Sequence, residues 1–197
     1  MTEPEIIATV DFLRRAEALK DTLRSGHTSK GRPESTAEHT WRLMLMALVF
    51  SRSFGEIDML RLLKILVVHD LGEAISGDVP ATDQSPDDGR SARERADLQS
   101  LTEPLPTPMR QDILALWDDY ESAGSREAVI AKGLDKLETI LQHNQGANPP
   151  DFDYAFNLSY GRSRTDADPL LARIRAILDA ETLDRDAASK ASSLIGP

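Results

Sequence analysis

The sequence predicts an all-α fold, a single helical bundle. Three observations carry that prediction. Nearly every segment repeats its apolar residues with helical period, no run alternates apolar and polar residues cleanly enough for a sheet, and capping residues stand where the periodic segments begin. At 197 residues the chain is long enough for one sizeable core.

The first helix is expected over residues 4–20, with Ile6, Ile7, Val10, Phe12, Leu13 and Leu19 as its apolar positions. A polar loop, DTLRSGHTSKGRPES, follows. Ser35 with Glu38 three residues later forms a capping box, so the next helix starts there. Its body, HTWRLMLMALVFSRSF, is apolar almost all round and reads as a central buried helix, with Trp41, Met44 and Met46 in the core. Asp58 caps MLRLLKILVVHDLGE, and Gly77, Pro80 and Pro86 mark an irregular stretch beyond it. RSARERADLQSL and TPMRQDILALWDDYES are two amphipathic helices, the first with a solvated face and the second presenting Trp117 and Tyr120 to an interface. Ser125 caps REAVIAKGLDKLETILQHN, and a last helix spans 167–183. Residues 1–185 are thus one domain, and 186–197 a frayed polar tail.

Composition excludes several functions. Without cysteine there is no disulfide, thiolate metal site or cysteine nucleophile. A formal net charge of −10 argues against a nucleic-acid surface, which needs a basic stripe. The N-terminal residues lack a signal-peptide layout and no apolar stretch reaches membrane-spanning length, so the expected address is cytoplasmic, with no membrane partner.

Polar residues interrupt three of the apolar helices. His39 lies in the first turn of the second, His69 and Asp70 end the third, and Asp135 breaks the run VIAKGLDKLETIL just after Gly133, which would let another backbone approach. Burying these groups is costly unless something pairs them. Two imidazoles and two carboxylates suit one divalent cation such as manganese, cobalt, nickel, iron or zinc. His27 and His143 show no such partners and read as surface residues.

The order His39, His69-Asp70, Asp135 resembles the signature of the HD-domain metal-dependent phosphohydrolases, and RPESTAEHTWR, HDLGEAISGDVP and DKLE resemble their 5′-deoxynucleotidase branch. The resemblance runs from about Leu19 to His143. It implies that His39, His69, Asp70 and Asp135 are metal ligands, that Glu73 activates or positions the attacking water, and that Asp78 helps orient substrate or water. Arg24 matches a basic residue that holds the nucleotide. Related sequences often place a tryptophan beside it, where this chain has Ser25, Gly26 and His27. A small nucleotide substrate and a homodimer are also implied.

The chemistry needs such groups. Phosphomonoester hydrolysis is slow because anions repel and the alkoxide leaves poorly. A divalent cation eases both problems, Glu73 would take a proton if the helix persists past Gly72, and Arg24, with Arg32 as a second candidate, would pair with phosphate. The competing readings are an HD hydrolase of another phosphoester (an alarmone or cyclic nucleotide), a nucleotide-binding regulator with little turnover, and a structural helical dimer whose polar cluster is an ion-pair network.

Overall fold

The computed structural model describes residues 1–85 and 89–195, so Pro86 lies outside the described residues. Helix α1 (Glu3–Ala16) begins at a capping box between Thr2 and Glu5 and tightens into a 3₁₀ turn over Glu17–Lys20. It buries Phe12, with Leu19 from the 3₁₀ turn, and leaves Ile6, Ile7 and Leu13 exposed. The following polar stretch is no plain loop. Strands β1 (Leu23–His27) and β2 (Pro33–Ser35) pair antiparallel, with Leu23 opposite Ser35, His27 opposite Pro33, and an irregular register between. Apolar alternation does not hold this hairpin. Its fixed points are tertiary: Gln142 Nε2 donates to the His27 carbonyl at 2.5 Å, and the His27 amide donates to Asn148 Oδ1 at 3.1 Å.

Helix α2 (Thr36–Val49) starts where the capping box places it, with Ser35 accepting from the Glu38 amide and Glu38 returning a bond to the Ser35 amide. Its inner stripe is Thr36, His39, Leu43, Met46 and Ala47. Trp41 is 62% exposed, so its expected core position is wrong. A helix apolar all round does not announce which side faces inward, and here Trp41, Leu45, Leu48 and Val49 face outward. Helix α3 (Met59–Val68) is capped by Asp58, whose own amide donates to Glu127 at 3.0 Å and so ties α3 to the start of a later helix.

Helix α3 does not continue into Glu73. It stops at His69, and a short α4 (Glu73–Ser76) restarts after Gly72. A Cβ at Gly72 would lie 2.6 Å from the Glu94 carbonyl oxygen, so a larger residue would push α5 (Arg90–Leu101) away. Helix α6 (Thr107–Ser122) buries Trp117 and Tyr120. Helix α7 (Arg126–Gln145), capped by Ser125, is the true central helix. It packs against α2, α3, α6, α8 (Arg162–Thr165) and α9 (Pro169–Ile195). Gly133 permits that contact: a Cβ there would sit 2.4 Å from Leu171 Cδ1 and 2.9 Å from the Arg164 carbonyl oxygen.

The last helix reaches Ile195, well beyond the expected end at 183. Thr182 and Arg185 dock its middle on α7 through hydrogen bonds to Asn144 Oδ1 at 2.9 Å and the Asn144 carbonyl at 2.6 Å. Two apolar clusters result, one centred on Leu43, Leu62, Ile65, Leu66, Leu134 and Leu137, the other on Phe12, Val68, Leu71, Leu98 and Trp117. Helix α3 contributes to both. No helix among the described residues is long and apolar enough to cross a membrane.

Candidate metal centre and active site

Three helices deliver polar side chains to one point inside the bundle. The Ser35 cap fixes the start of α2, which places His39 one turn in and fully buried. The end of α3 supplies His69 and Asp70, and the middle of α7 supplies Asp135. His69 Nε2 lies 3.0 Å from Asp70 Oδ2; His39 Nε2 lies 3.8 Å from that oxygen and 3.3 Å from Asp135 Oδ1. Metal–ligand bonds of ~2.1 Å put neighbouring ligand atoms roughly 3–3.5 Å apart; the ligand atoms of His39, His69 and Asp70 all lie within 4.8 Å of one another, and Asp135 joins the group through His39.

The tautomers fit as well. His69 Nδ1 bonds the Leu66 carbonyl at 2.8 Å, and His39 Nδ1 bonds the Glu138 carboxylate. Each N–H is therefore used on the outer nitrogen, and each Nε2 turns a lone pair inward. Both Nε2 atoms are buried and make no hydrogen bond of acceptable geometry. Two orphaned acceptors facing two carboxylates form a suitable donor set for a divalent cation of the borderline class.

The surrounding charges are tightly coupled. Burial raises the Asp135 carboxyl, but Lys136 and His39 outweigh it and hold its pKa below the usual carboxylate range. Burial and Arg24 disfavour the His39 imidazolium, while Glu138 and Asp135 reverse that and raise it to about 10. Cation uptake therefore competes with a proton at His39. Asp135 Oδ2 is already occupied by two donors, the Tyr120 hydroxyl at 2.8 Å and Lys136 Nζ at 2.9 Å, which leaves Oδ1 to face His39.

A cavity of about 90 Å³ opens beside this point and is lined by Arg24, Glu73, Asp78 and Lys136, together with His69, Asp70 and Asp135. Glu73 is buried and accepts from Thr36 Oγ1 at 3.0 Å. Burial, with Asp70 and Asp78 close by, pushes its carboxyl up to about 9. Arg24 reaches in from β1, with Nη1 3.6 Å from both Asp70 Oδ2 and Asp78 Oδ1 and Nε 3.7 Å from Glu34 Oε2. These are long for charge-assisted bonds, so the guanidinium neutralises the acids without being saturated by them.

Of the seven residues expected from the sequence, Arg24, His69, Asp70, Glu73, Asp78 and Asp135 line this cavity, and His39 sits behind it against Asp70 and Asp135. Arg32 lies apart: it is exposed and forks onto Glu38 at 2.6 and 2.8 Å. His143 is buried rather than a surface residue, because Asn157 Oδ1 sits 2.9 Å from its Nδ1 and Phe152 packs edge-on against it. His27 is half-buried in the hairpin. Sequence reasoning missed Glu138, Glu34, Tyr120 and Lys136. The available signals were faint: Glu138 stands three residues after Asp135, on the same helical face, and Glu34 lies in the stretch RPES.

A helical bundle holding histidines and aspartates in this order and geometry is an HD domain, and the HD-domain family model matches residues 16–175: the chain belongs to that family. Among its relatives, 5'-deoxynucleotidase HDDC2 of Homo sapiens is 34% identical over 138 residues, which cover 69% of this chain and 67% of the relative. The 5'-deoxynucleotidase hdd1 of Schizosaccharomyces pombe is 32% identical over 148 residues, covering 72% of this chain and 74% of the relative. A crystal structure of a predicted metal-dependent phosphohydrolase from Magnetospirillum magnetotacticum superposes with a TM-score of 0.80 at 25% identity, over 95% of each chain.

Proposed function

We propose that the chain is a metal-dependent 5'-deoxynucleotidase, which adds water to the phosphorus of a deoxynucleoside monophosphate and releases a deoxynucleoside and inorganic phosphate. One observation carries the reading: two inward-facing Nε2 atoms and two aspartates meet beside a cavity that also holds Arg24, Glu73 and Asp78. The relatives named as 5'-deoxynucleotidases support the substrate class.

In this reading His39, His69, Asp70 and Asp135 hold the ion. A divalent cation supplies a water of lowered pKa and offsets charge on the phosphoryl oxygens. Glu73 takes the proton of the attacking water. Thr36 fixes one of its oxygens, and Gly72 lets α4 start tight against the α5 backbone at Glu94. The raised pKa of Glu73 reflects burial among acids; positive charge beside Asp70 opposes that rise and returns the group to its basic form. Arg24 meets the phosphate and screens Asp70 and Asp78 from it, which brings an anion into a protein of net charge −10. Asp78 orients the water or the sugar side of the substrate.

Phosphate release from a panel of deoxynucleoside and ribonucleoside monophosphates, run with several divalent ions and with chelator, tests the reading. Turnover should require an ion and favour the deoxy series. Glu73→Gln should lower kcat by about 10²-fold or more while the ion stays bound. Equal rates in the variant remove Glu73 from proton transfer, and no turnover of any monophosphate with any ion overturns the function.

A further inference from the structure

Lys136 follows Asp135 on α7 and has no task in the chemistry above. Its Nζ lies 2.9 Å from Asp135 Oδ2 and 5.1 Å over the Tyr160 ring, and its side chain lines the same cavity as Arg24, Glu73 and Asp78. The stem is fixed too. A Cβ at Gly161 would fall 2.5 Å from Lys136 Cγ and 2.8 Å from its Cβ, so the lysine runs under bare backbone that only glycine leaves clear. Ordering a long flexible side chain costs entropy, and an ammonium fixed at a cavity wall calls for a reason.

Orientation of Asp135 is an insufficient one, since the Tyr120 hydroxyl already donates to the same Oδ2 at 2.8 Å. Charge is a better one. A phosphomonoester brings up to two negative charges to a wall that already carries Asp70, Asp78 and Asp135. The other cations on that wall have counter-ions outside the ligand set: Lys132 pairs with Glu121 at 3.0 Å, Arg90 with Glu94 at 3.0 Å, and Arg24 with Glu34 and Asp78 as well as Asp70. Lys136 differs, because its ion-pair partner is Asp135. Once Asp135 gives its charge to a bound cation, the ammonium is left with N–H donors at the cavity and a weakened counter-ion.

The geometry points to Lys136 as a second phosphoryl-binding residue, its ammonium donating to a non-bridging oxygen of the substrate phosphate. This deepens the nucleotidase reading and rests on it. The test uses the manganese-loaded full chain as wild type, Lys136→Gln, Lys136→Arg and Gly161→Ala. Three quantities are measured: manganese affinity by chelator competition, binding of inorganic phosphate by calorimetry at saturating manganese, and KM and kcat for a deoxynucleoside monophosphate.

Lys136→Gln should weaken phosphate binding and raise KM about 10-fold or more, with manganese affinity changed less than about 3-fold because Tyr120 still holds Asp135. Lys136→Arg should recover much of the loss. Gly161→Ala displaces the stem while keeping the charge and also strains a backbone at φ +63°, so it should raise KM, and with wild-type circular dichroism and manganese affinity it carries the test if Lys136→Gln does not fold. Phosphate binding and KM unchanged at saturating manganese, with manganese affinity reduced 10-fold, would overturn the proposal and leave Lys136 a support for Asp135. A wild type that turns over no monophosphate sinks the nucleotidase reading instead, and the phosphate calorimetry still decides the role of Lys136.

Discussion

His39 shows how much a single side chain depends on a neighbour. Its outer nitrogen is held by Glu138, and Glu138 is held in turn by Arg42 Nε at 2.6 Å, all at the buried face between α2 and α7. Glu138→Gln keeps the shape but loses the charge that orients the ring, so metal affinity should fall about 10- to 100-fold with an unchanged circular dichroism spectrum. Chelator competition measures this, and undiminished affinity would show that the ring orients without Glu138. The sequence announces His69 and Asp70 because two ionisable groups end a run of apolar residues. Glu138 is silent there: a glutamate in a helix reads as solvated, and His39, which explains it, is 99 positions away. Trp41 misleads in the opposite sense, since hydrophobicity around a whole helix carries no direction.

At the scale of elements, the N-terminus of α2 sets the position of His39, and local bonds among Arg32, Ser35 and Glu38 define it. Ser35→Ala should cost about 1 kcal/mol of stability, read as a lower urea midpoint, and should also weaken metal binding by loosening the first turn. Hydrogen bonds from Arg32, outweighing burial, hold the Glu38 carboxyl down to about 2, against 4.5 unfolded. A depressed acid contributes fully above its unfolded pKa and loses that contribution as pH falls through its folded value. The wild-type advantage over Glu38→Gln should therefore be present at pH 6 and fade between about pH 4.5 and 2. The pair is exposed, so the effect is modest; no fading in that window would refute the assignment. Caps are local, a full capping box at α2 and single N-cap side chains at α3 and α7, and that is why the starts of these helices could be read from sequence. The hairpin could not, since its anchors are Gln142 and Asn148, far along the chain.

For the whole molecule, the proposed ligands join the end of α3 to α2 and α7, and α3 runs between the two apolar clusters. A cation bound only by the folded state should stabilise it by about 2.7 kcal/mol at a hundredfold excess over Kd. The melting temperature should accordingly rise with manganese concentration and drop on adding chelator, and His39→Ala should abolish both responses. A wild-type melting curve indifferent to manganese and chelator would break the link between site and fold. Global helicity was legible because apolar periodicity is additive along a chain, whereas the docking of α9 on Asn144 through Thr182 and Arg185 is recorded by no periodicity. The carboxylate of Asp135 has one further effect. With Tyr120 and Lys136 claiming one of its oxygens, it has a single oxygen to offer, so this carboxylate cannot grip an ion with both. Calcium, which thrives on crowded seven- or eight-oxygen cages, is thereby disadvantaged against smaller ions content with fewer partners.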